Sequence, residues 1–277
     1  MRGYEDFFQS SVELAPPGAS DSTFFDWHGI RLHYLHRQRA TDRTVIFVHG
    51  AGAHAAALWP YAQLCALDAV VIDLPLFGAS VAPDPGAIRY SDWVAALTAF
   101  IAAWPRDVVL VGFSIGGVLA ADVATRCPNV VRTITTCLVE PRGLLSQLFI
   151  TRFGVFGVVG AVLAPLVVGR VARLRIPMRW VARFSRMSSD PALQRLCAFD
   201  PKSGGVYVPL GFLASLLKFR HKFDPGSVEL AHPANDHWTP VWLSMRLKPR
   251  SVVLLDSCGH FPVEQPGLGQ FIALINR

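Results

Sequence analysis

Asp107-Val108-Val109-Leu110-Val111-Gly112-Phe113-Ser114-Ile115-Gly116-Gly117-Val118 begins as an apolar, β-branched run and ends in small residues, with one serine between glycines. The run reads as a buried strand. From Ile115 to Cys127 apolar residues recur at helical spacing, and the pattern stops before Pro128. Ser114 therefore stands where a strand hands over to a helix. One reading is a plain turn that needs small residues. The other is a nucleophile: glycines on both sides suit a strained backbone and a close neighbouring chain, and the serine oxygen is exposed near the free N–H groups of a helix N-terminus.

Outward from that turn, the first half of the chain alternates short β-branched runs with helical stretches, as a parallel sheet with helices on both faces requires. Thr23 to His28 and Ile30 to His36 read as an antiparallel hairpin around Gly29. Thr44 to His49, Ala69 to Leu74 and Val130 to Val139 read as further strands, and Trp93 to Trp104 as a helix. The rhythm breaks between Arg142 and Pro225, which reads as mostly helical, and then resumes: strand Ser227 to Leu230, a helix near Pro240 to Leu247, strand Ser251 to Leu255 and helix Leu268 to Ile275. The expectation is an α/β fold with a mostly parallel central sheet, residues 1–141 and 226–277 forming the core and 142–225 a helical, apolar, Arg-rich insertion.

Composition narrows the function. At 277 residues, 52% hydrophobic and 17% charged, the chain buries a large core. Its five cysteines have no CxxC pair and read as reduced, buried thiols, and no metal-ligand spacing or cofactor motif is found. The N-terminus lacks a basic start followed by an apolar run, so a cytoplasmic protein is expected. The net charge of +6 is concentrated: eight arginines and no acid lie between Arg142 and Arg186. They alternate with Val, Leu, Ile, Trp and Phe, which suits a lipid-facing surface better than nucleic acid. Phe153 to Gly169 is seventeen uncharged residues, but its glycines and Pro165 make it a poor straight span.

A serine nucleophile needs a base and an orienting acid. His260, in Asp256-Ser257-Cys258-Gly259-His260-Phe261-Pro262, is the histidine that follows a late strand. Asp236, on the loop after the preceding strand, gives the chain order serine, acid, histidine; Glu140 and Asp256 are the alternatives. Backbone N–H groups of Ile115, directly after the serine, and Ala51, in His49-Gly50-Ala51-Gly52, are placed to bind a negative oxygen. His54 and His237 read as structural or pocket-lining.

With these residues assembled, the chain resembles an α/β-hydrolase fold serine hydrolase over nearly its full length. His49-Gly50-Ala51-Gly52-Ala53-His54, Asp73-Leu74-Pro75-Leu76-Phe77-Gly78-Ala79-Ser80 and Gly112-Phe113-Ser114-Ile115-Gly116 carry the resemblance, and within it the chain is similar to monoacylglycerol lipase and lysophospholipase-like members. Leu76 replaces the family's usual small residue, and Phe113 stands where lipases of this group often have histidine. The resemblance implies Ser114, Asp236 and His260 as triad, Ala51 and Ile115 as oxyanion donors, residues 142–225 as cap, and hydrolysis of apolar acyl esters without a cofactor. Thioesterase, amidase, peptidase or acyltransferase chemistry on the same triad, or a non-catalytic ligand-binding member, are the alternatives.

On that reading Phe113, Phe153, Phe156 and Val159, with Val155, Val158, Val162, Leu163 and Leu166, line or cover an acyl tunnel. Arg179, Arg183 and Arg186, spaced four and three apart, would share one helical face able to rest on an anionic membrane.

Overall fold

The computed structural model describes residues 2–150, 159–160 and 162–277. β1 (Ser22–Trp27) and β2 (Ile30–Arg37) form the hairpin about Gly29. β3 (Arg43–Val48), α1 (Ala55–Leu64), β4 (Asp68–Ile72), α2 (Tyr90–Ala102), β5 (Asp107–Gly112), α3 (Ile115–Ala124) and β6 (Val130–Thr135) then alternate. After β6 the chain leaves the sheet for a series of short elements: α4 (Leu144–Ile150), β7 (Arg175–Pro177), α5 (Met178–Val181), α6 (Pro191–Phe199), β8 (Tyr207–Pro209) and α7 (Leu210–Lys218). It returns with β9 (Val228–Pro233), α8 (Val241–Met245), β10 (Ser251–Leu255) and α9 (Gly267–Ile275).

Eight strands form one sheet in the order β1-β2-β4-β3-β5-β6-β9-β10. β2 pairs antiparallel with β1 and β4, and every other pair is parallel. Helices cover both faces, so β4 is buried at every residue and β3 and β5 at all but the first; this is why their sequences are unbroken apolar runs rather than alternating ones. The register places Val48 opposite Ile72 on one side and Gly112 on the other, with Gly112 opposite Thr135. The carboxyl ends of β3, β4, β5 and β6 are thus level, and His49, Asp73, Phe113 and Thr136 leave the sheet side by side.

The hydrophobic core runs continuously through the sheet and its helices. α3 is buried along almost its whole length, with Val118, Leu119 and Val123 fully inaccessible. α1 is not evident from the sequence, because Pro60 interrupts it; it forms nonetheless, since Ala57, Leu58, Tyr61 and Ala62 pack into the core and tertiary burial outweighs one missing backbone bond.

Besides its short helices and turns, the middle of the chain carries a separate antiparallel ladder of β7 and β8, with Ile176 opposite Val208. One expectation for this segment is corrected: Arg179, Arg183 and Arg186 do not share a helical face. α5 ends at Val181, Ala182 is extended at φ −88° and ψ 151°, and a separate 3-10 turn begins at Phe184. The periodicity is present in the sequence, but the extended residue between the two short elements breaks the phase. Among the described residues no helix is long and apolar enough to cross a membrane.

Leu119, with no accessible surface beneath the sheet, is expected to cost about 2–5 kcal/mol on replacement by alanine. Urea denaturation measures this, and a loss below about 1 kcal/mol would contradict the packing described.

Candidate active site

Ser114 joins β5 to α3 at φ 53° and ψ −126°, a conformation that a residue with a Cβ adopts only under strain. Several hydrogen bonds hold it there. Phe113 N–H donates to Val48 O (2.9 Å), Ser114 N–H to Thr136 Oγ1 (3.1 Å), Gly116 N–H to Phe113 O (2.8 Å) and Gly117 N–H to Ser114 O (2.8 Å). The glycines are steric necessities: a Cβ on Gly116 would lie 2.5 Å from His49 O, and one on Gly50 would lie 2.9 Å from both Phe113 O and Ser114 Cβ. The loop after β3 therefore packs directly on the serine turn.

His260 and Asp236 come together because β9 and β10 are parallel neighbours whose loops are stitched to each other. Pro233 pairs with Leu255, Ala234 N–H donates to Leu255 O (2.9 Å) and Asn235 N–H to Cys258 O (2.9 Å). His260 Nδ1 lies 2.8 Å from Asp236 Oδ2, while Asp236 Oδ1 accepts the N–H groups of Trp238 (2.7 Å) and Thr239 (2.9 Å). Burial pushes the Asp236 carboxyl up, but the charge and hydrogen bond of His260 and the Thr239 N–H outweigh it, so its pKa lies below the usual carboxylate value. An ionised Asp236 accepts a hydrogen bond and so keeps the ring proton on Nδ1. Nε2 is then left as the acceptor, buried and without a partner among the described residues. Trp238 packs on the imidazole with ring centres 4.7 Å apart. His232, whose Nε2 is 3.9 Å from Asp236, has its pKa pushed down by burial.

Two cavities meet at the serine. The larger, about 70 Å³, is lined by Val139, Met178, Val181, Leu213, Leu216 and Leu217 among others. The smaller, about 30 Å³, contains His260 with Tyr4, Leu58, Phe113, Met187 and Phe261. Ser114, Ala51 and Trp238 line both.

The Ile115 N–H begins α3 and has no intrahelical acceptor. That of Ala51 has no partner among the described residues. His49 orients it: Nδ1 donates to Gly50 O (2.7 Å), an atom of the same planar peptide as Ala51 N, and Nε2 accepts Leu74 N–H (3.0 Å). Burial pushes the His49 pKa down to about 4, which keeps the ring neutral and both bonds intact near neutral pH.

Of the other expected residues, Phe113 is buried and lines the smaller cavity. Phe153 and Phe156, with Val155 and Val158, lie outside the described residues. Val159, at 47% exposure, and Val162, Leu163 and Leu166 face solvent instead of lining either cavity. The lining comes from α5 and α7, whose Leu213, Leu216 and Leu217 recur at spacings of three and four; that pattern was the available signal. Glu140 and Asp256, the alternative acids, lie elsewhere: Glu140 faces His221 at 3.7 Å, and Asp256 accepts from Gln270 at 2.7 Å. Among the described residues no group of three or more His, Cys, Asp or Glu is arranged to hold a metal ion.

Comparison with known proteins gives the same frame. The model of the Alpha/beta hydrolase family matches residues 45–268. A pimeloyl-[acyl-carrier protein] methyl ester esterase from Shewanella sp. (strain MR-7) is 33% identical over 115 residues, which are 41% of this chain and 40% of that protein. The chain thus matches less than half the length of this relative. A soluble variant of monoglyceride lipase from Saccharomyces cerevisiae, solved with a substrate analog, superposes with a TM-score of 0.69 at 16% identity over 97% of both chains. Monoacylglycerol lipase from Paleococcus ferrophilus gives 0.66 at 18% identity, over 88% of this chain and 96% of that one. At these identities the structural likeness concerns the fold.

The Asp236 carboxyl has a folded pKa below its unfolded value, so its ionisation stabilises the fold fully above about pH 4 and ceases to do so as pH falls through the folded value. Asp236→Asn is therefore expected to be less stable than the native protein at neutral pH, with the deficit shrinking as pH falls below the ordinary carboxylate value of about 4. Denaturant midpoints across that range check this; a deficit that stays constant would contradict the electrostatic account.

Proposed function

Because the chain belongs to the alpha/beta hydrolase family, we propose that it is a serine hydrolase of carboxylic esters, with Ser114 as nucleophile, His260 as general base and acid, and Asp236 as the orienting acid. The observation that carries this reading is the state of His260. Its Nδ1 is tied to Asp236, its Nε2 has no partner among the described residues, and the residue lines the cavity it shares with Ser114.

In the first half of the reaction Ser114 Oγ attacks the ester carbonyl carbon as His260 Nε2 takes its proton. The carbonyl oxygen becomes an oxyanion, bound by the N–H groups of Ile115 and Ala51. Asp236 stabilises the imidazolium without taking its proton. Collapse of the intermediate breaks the bond to the alcohol oxygen, which receives the proton from His260, and leaves an acyl-serine. Water, deprotonated by the same Nε2, then hydrolyses this ester and restores Ser114.

This assignment divides the site. The leaving alcohol must depart toward His260, hence into the smaller cavity, and the acyl chain takes the larger, apolar one. By volume the larger, about 70 Å³, has more than twice the room of the smaller, about 30 Å³. We therefore favour esters of medium-length apolar acids with small alcohols. The name of the Shewanella relative, a methyl ester esterase, supports a small leaving group in this chain as well.

The segment 142–225 serves in this reading as the cap over the core of residues 1–141 and 226–277, and the enzyme works in the cytoplasm. Val162, Leu166, Val168, Val171 and Leu174 are exposed, with Arg170 and Arg175 exposed among them. We assign to this edge a peripheral contact with anionic lipid. Cosedimentation with phosphatidylserine vesicles is expected to fall with salt and to weaken in Leu166→Glu; binding unaffected by both would contradict the contact.

Hydrolysis of methyl esters from acetate to palmitate, followed by acid release, tests the activity. Turnover is expected to peak between butyrate and octanoate and to fall by at least about a thousandfold in Ser114→Ala. No Ser114-dependent turnover of any ester would overturn the reading.

A further inference from the structure

We propose that Ser203 and Asp200, from the segment between β6 and β9, are positioning residues for the oxyanion-binding loop, holding the Ala51 N–H in place from outside the core. The inference rests on the hydrolase reading above, and specifically on Ala51 as an oxyanion donor.

β3 ends at Val48 and α1 begins at Ala55, so six residues, His49 to His54, connect them. Ala51 lies between two glycines, whose backbones impose little torsional restraint of their own. The orientation of its N–H must be set by what holds the loop on either side. On the N-terminal side the core does this, through His49 and Gly50 O. On the C-terminal side the bonds come from the other segment.

Ser203, with no accessible surface, donates its hydroxyl hydrogen bond to Gly52 O, the carbonyl that follows Ala51, and its Oγ also lies 3.1 Å from Cys197 O. Asp200, at the end of α6, places Oδ2 2.8 Å from His54 Nε2 at the far end of the loop, and the same oxygen accepts the Tyr4 hydroxyl at 2.8 Å. Asp200 Oδ1 accepts Lys202 N–H (2.8 Å), and Asp200 O accepts the N–H groups of Ser203 (3.0 Å) and Gly205 (2.9 Å), so the two clamping side chains are built on one turn. Burial pushes the Asp200 carboxyl up, yet the hydrogen bond and charge of His54, the Lys202 N–H and the Tyr4 hydroxyl bring it down to about 2, leaving an ionised acceptor at neutral pH. A satisfied network of this kind in a buried setting fixes geometry rather than merely adding stability. Its members are 146 and 151 residues apart in sequence along the two clamping contacts, so their convergence on a six-residue loop is a tertiary device.

The consequence is specific to the transition state. A loosened loop still admits substrate, but it no longer presents the Ala51 N–H to the oxyanion at full occupancy. The test uses the full chain with methyl butyrate, comparing native protein, Ser203→Ala, Ser203→Thr and Asp200→Asn. A second readout is inhibition by an alkyl trifluoromethyl ketone. Ser114 Oγ adds to its carbonyl carbon, the proton passes to His260 and the carbonyl electron pair becomes an alkoxide in the oxyanion site.

Ser203→Ala is expected to lower kcat about tenfold, leave KM within about twofold and weaken ketone inhibition by the same factor as kcat. Ser203→Thr, which keeps the hydroxyl, is expected to restore most of both, and Asp200→Asn to act in the same direction as Ser203→Ala. Should Ser203→Ala fail to fold, Asp200→Asn and Ser203→Thr carry the comparison. A folded Ser203→Ala or Asp200→Asn with lower Tm but native kcat and native ketone inhibition would overturn the proposal while leaving the hydrolase reading intact. Absence of Ser114-dependent turnover in the native protein would overturn the reading and this proposal together.

Discussion

A serine held at φ 53° and ψ −126° costs roughly 1–3 kcal/mol, and the rest of the site is arranged around that backbone. The strain persists because the turn is bonded to strands on both sides, to Val48 of β3 and to Thr136 beyond β6, and because the level carboxyl ends of these strands bring both within reach. The conformation exposes the side chain while α3 begins immediately behind it. Substitution of Gly116 or Gly50 would push a carbon into neighbouring backbone, so the same close approach that holds Ser114 excludes larger side chains from the loop carrying Ala51.

Three separate loops complete the site, and the segment between β6 and β9 touches each of them. Ser203 and Asp200 engage the loop after β3; Phe261 N–H donates to Met187 O at 2.9 Å, beside His260; Arg186 Nη1 donates to His237 O at 3.0 Å, beside Asp236. The segment also contributes Met178, Val181, Leu213, Leu216 and Leu217 to the larger cavity. Substrate volume and catalytic geometry therefore depend on the same stretch of chain. The burial of His49 adds an electrostatic element: a ring kept neutral bridges Gly50 O and Leu74 N–H without bringing a positive charge to the site.

The parts legible in the sequence are those with short-range causes. Val108 to Val111 reads as a strand because both faces are covered and every residue is apolar, and G-F-S-I-G reads as a strained turn because only glycine fits the close contacts on either side of the serine. The hairpin about Gly29 and the strands before Asp236 and His260 follow from the same local patterns. What the sequence conceals depends on distant partners. α1 forms despite Pro60 because its other residues find the core. The expected face of Arg179, Arg183 and Arg186 fails at a single extended residue, Ala182. The apolar row from Val159 to Leu166 resembles a cavity lining in composition, yet Val159, Val162, Leu163 and Leu166 face solvent, whereas the cavity is lined from α5 and α7. Nothing local in Tyr4, His54 or Asp200 marks their convergence across 146 to 196 residues.

The central claim is that Ser114, activated through His260, is the nucleophile, and trapping it covalently is the most direct test. In reaction with a short alkyl fluorophosphonate, Ser114 Oγ bonds to phosphorus, fluoride leaves and the hydroxyl proton passes to His260. Intact-mass analysis followed by peptide mapping reads the product. The account predicts one adduct per chain, on the peptide containing Ser114, absent in Ser114→Ala and slowed by orders of magnitude in a folded His260→Ala. No adduct on the native protein, or modification that persists at the native rate in Ser114→Ala, would contradict it.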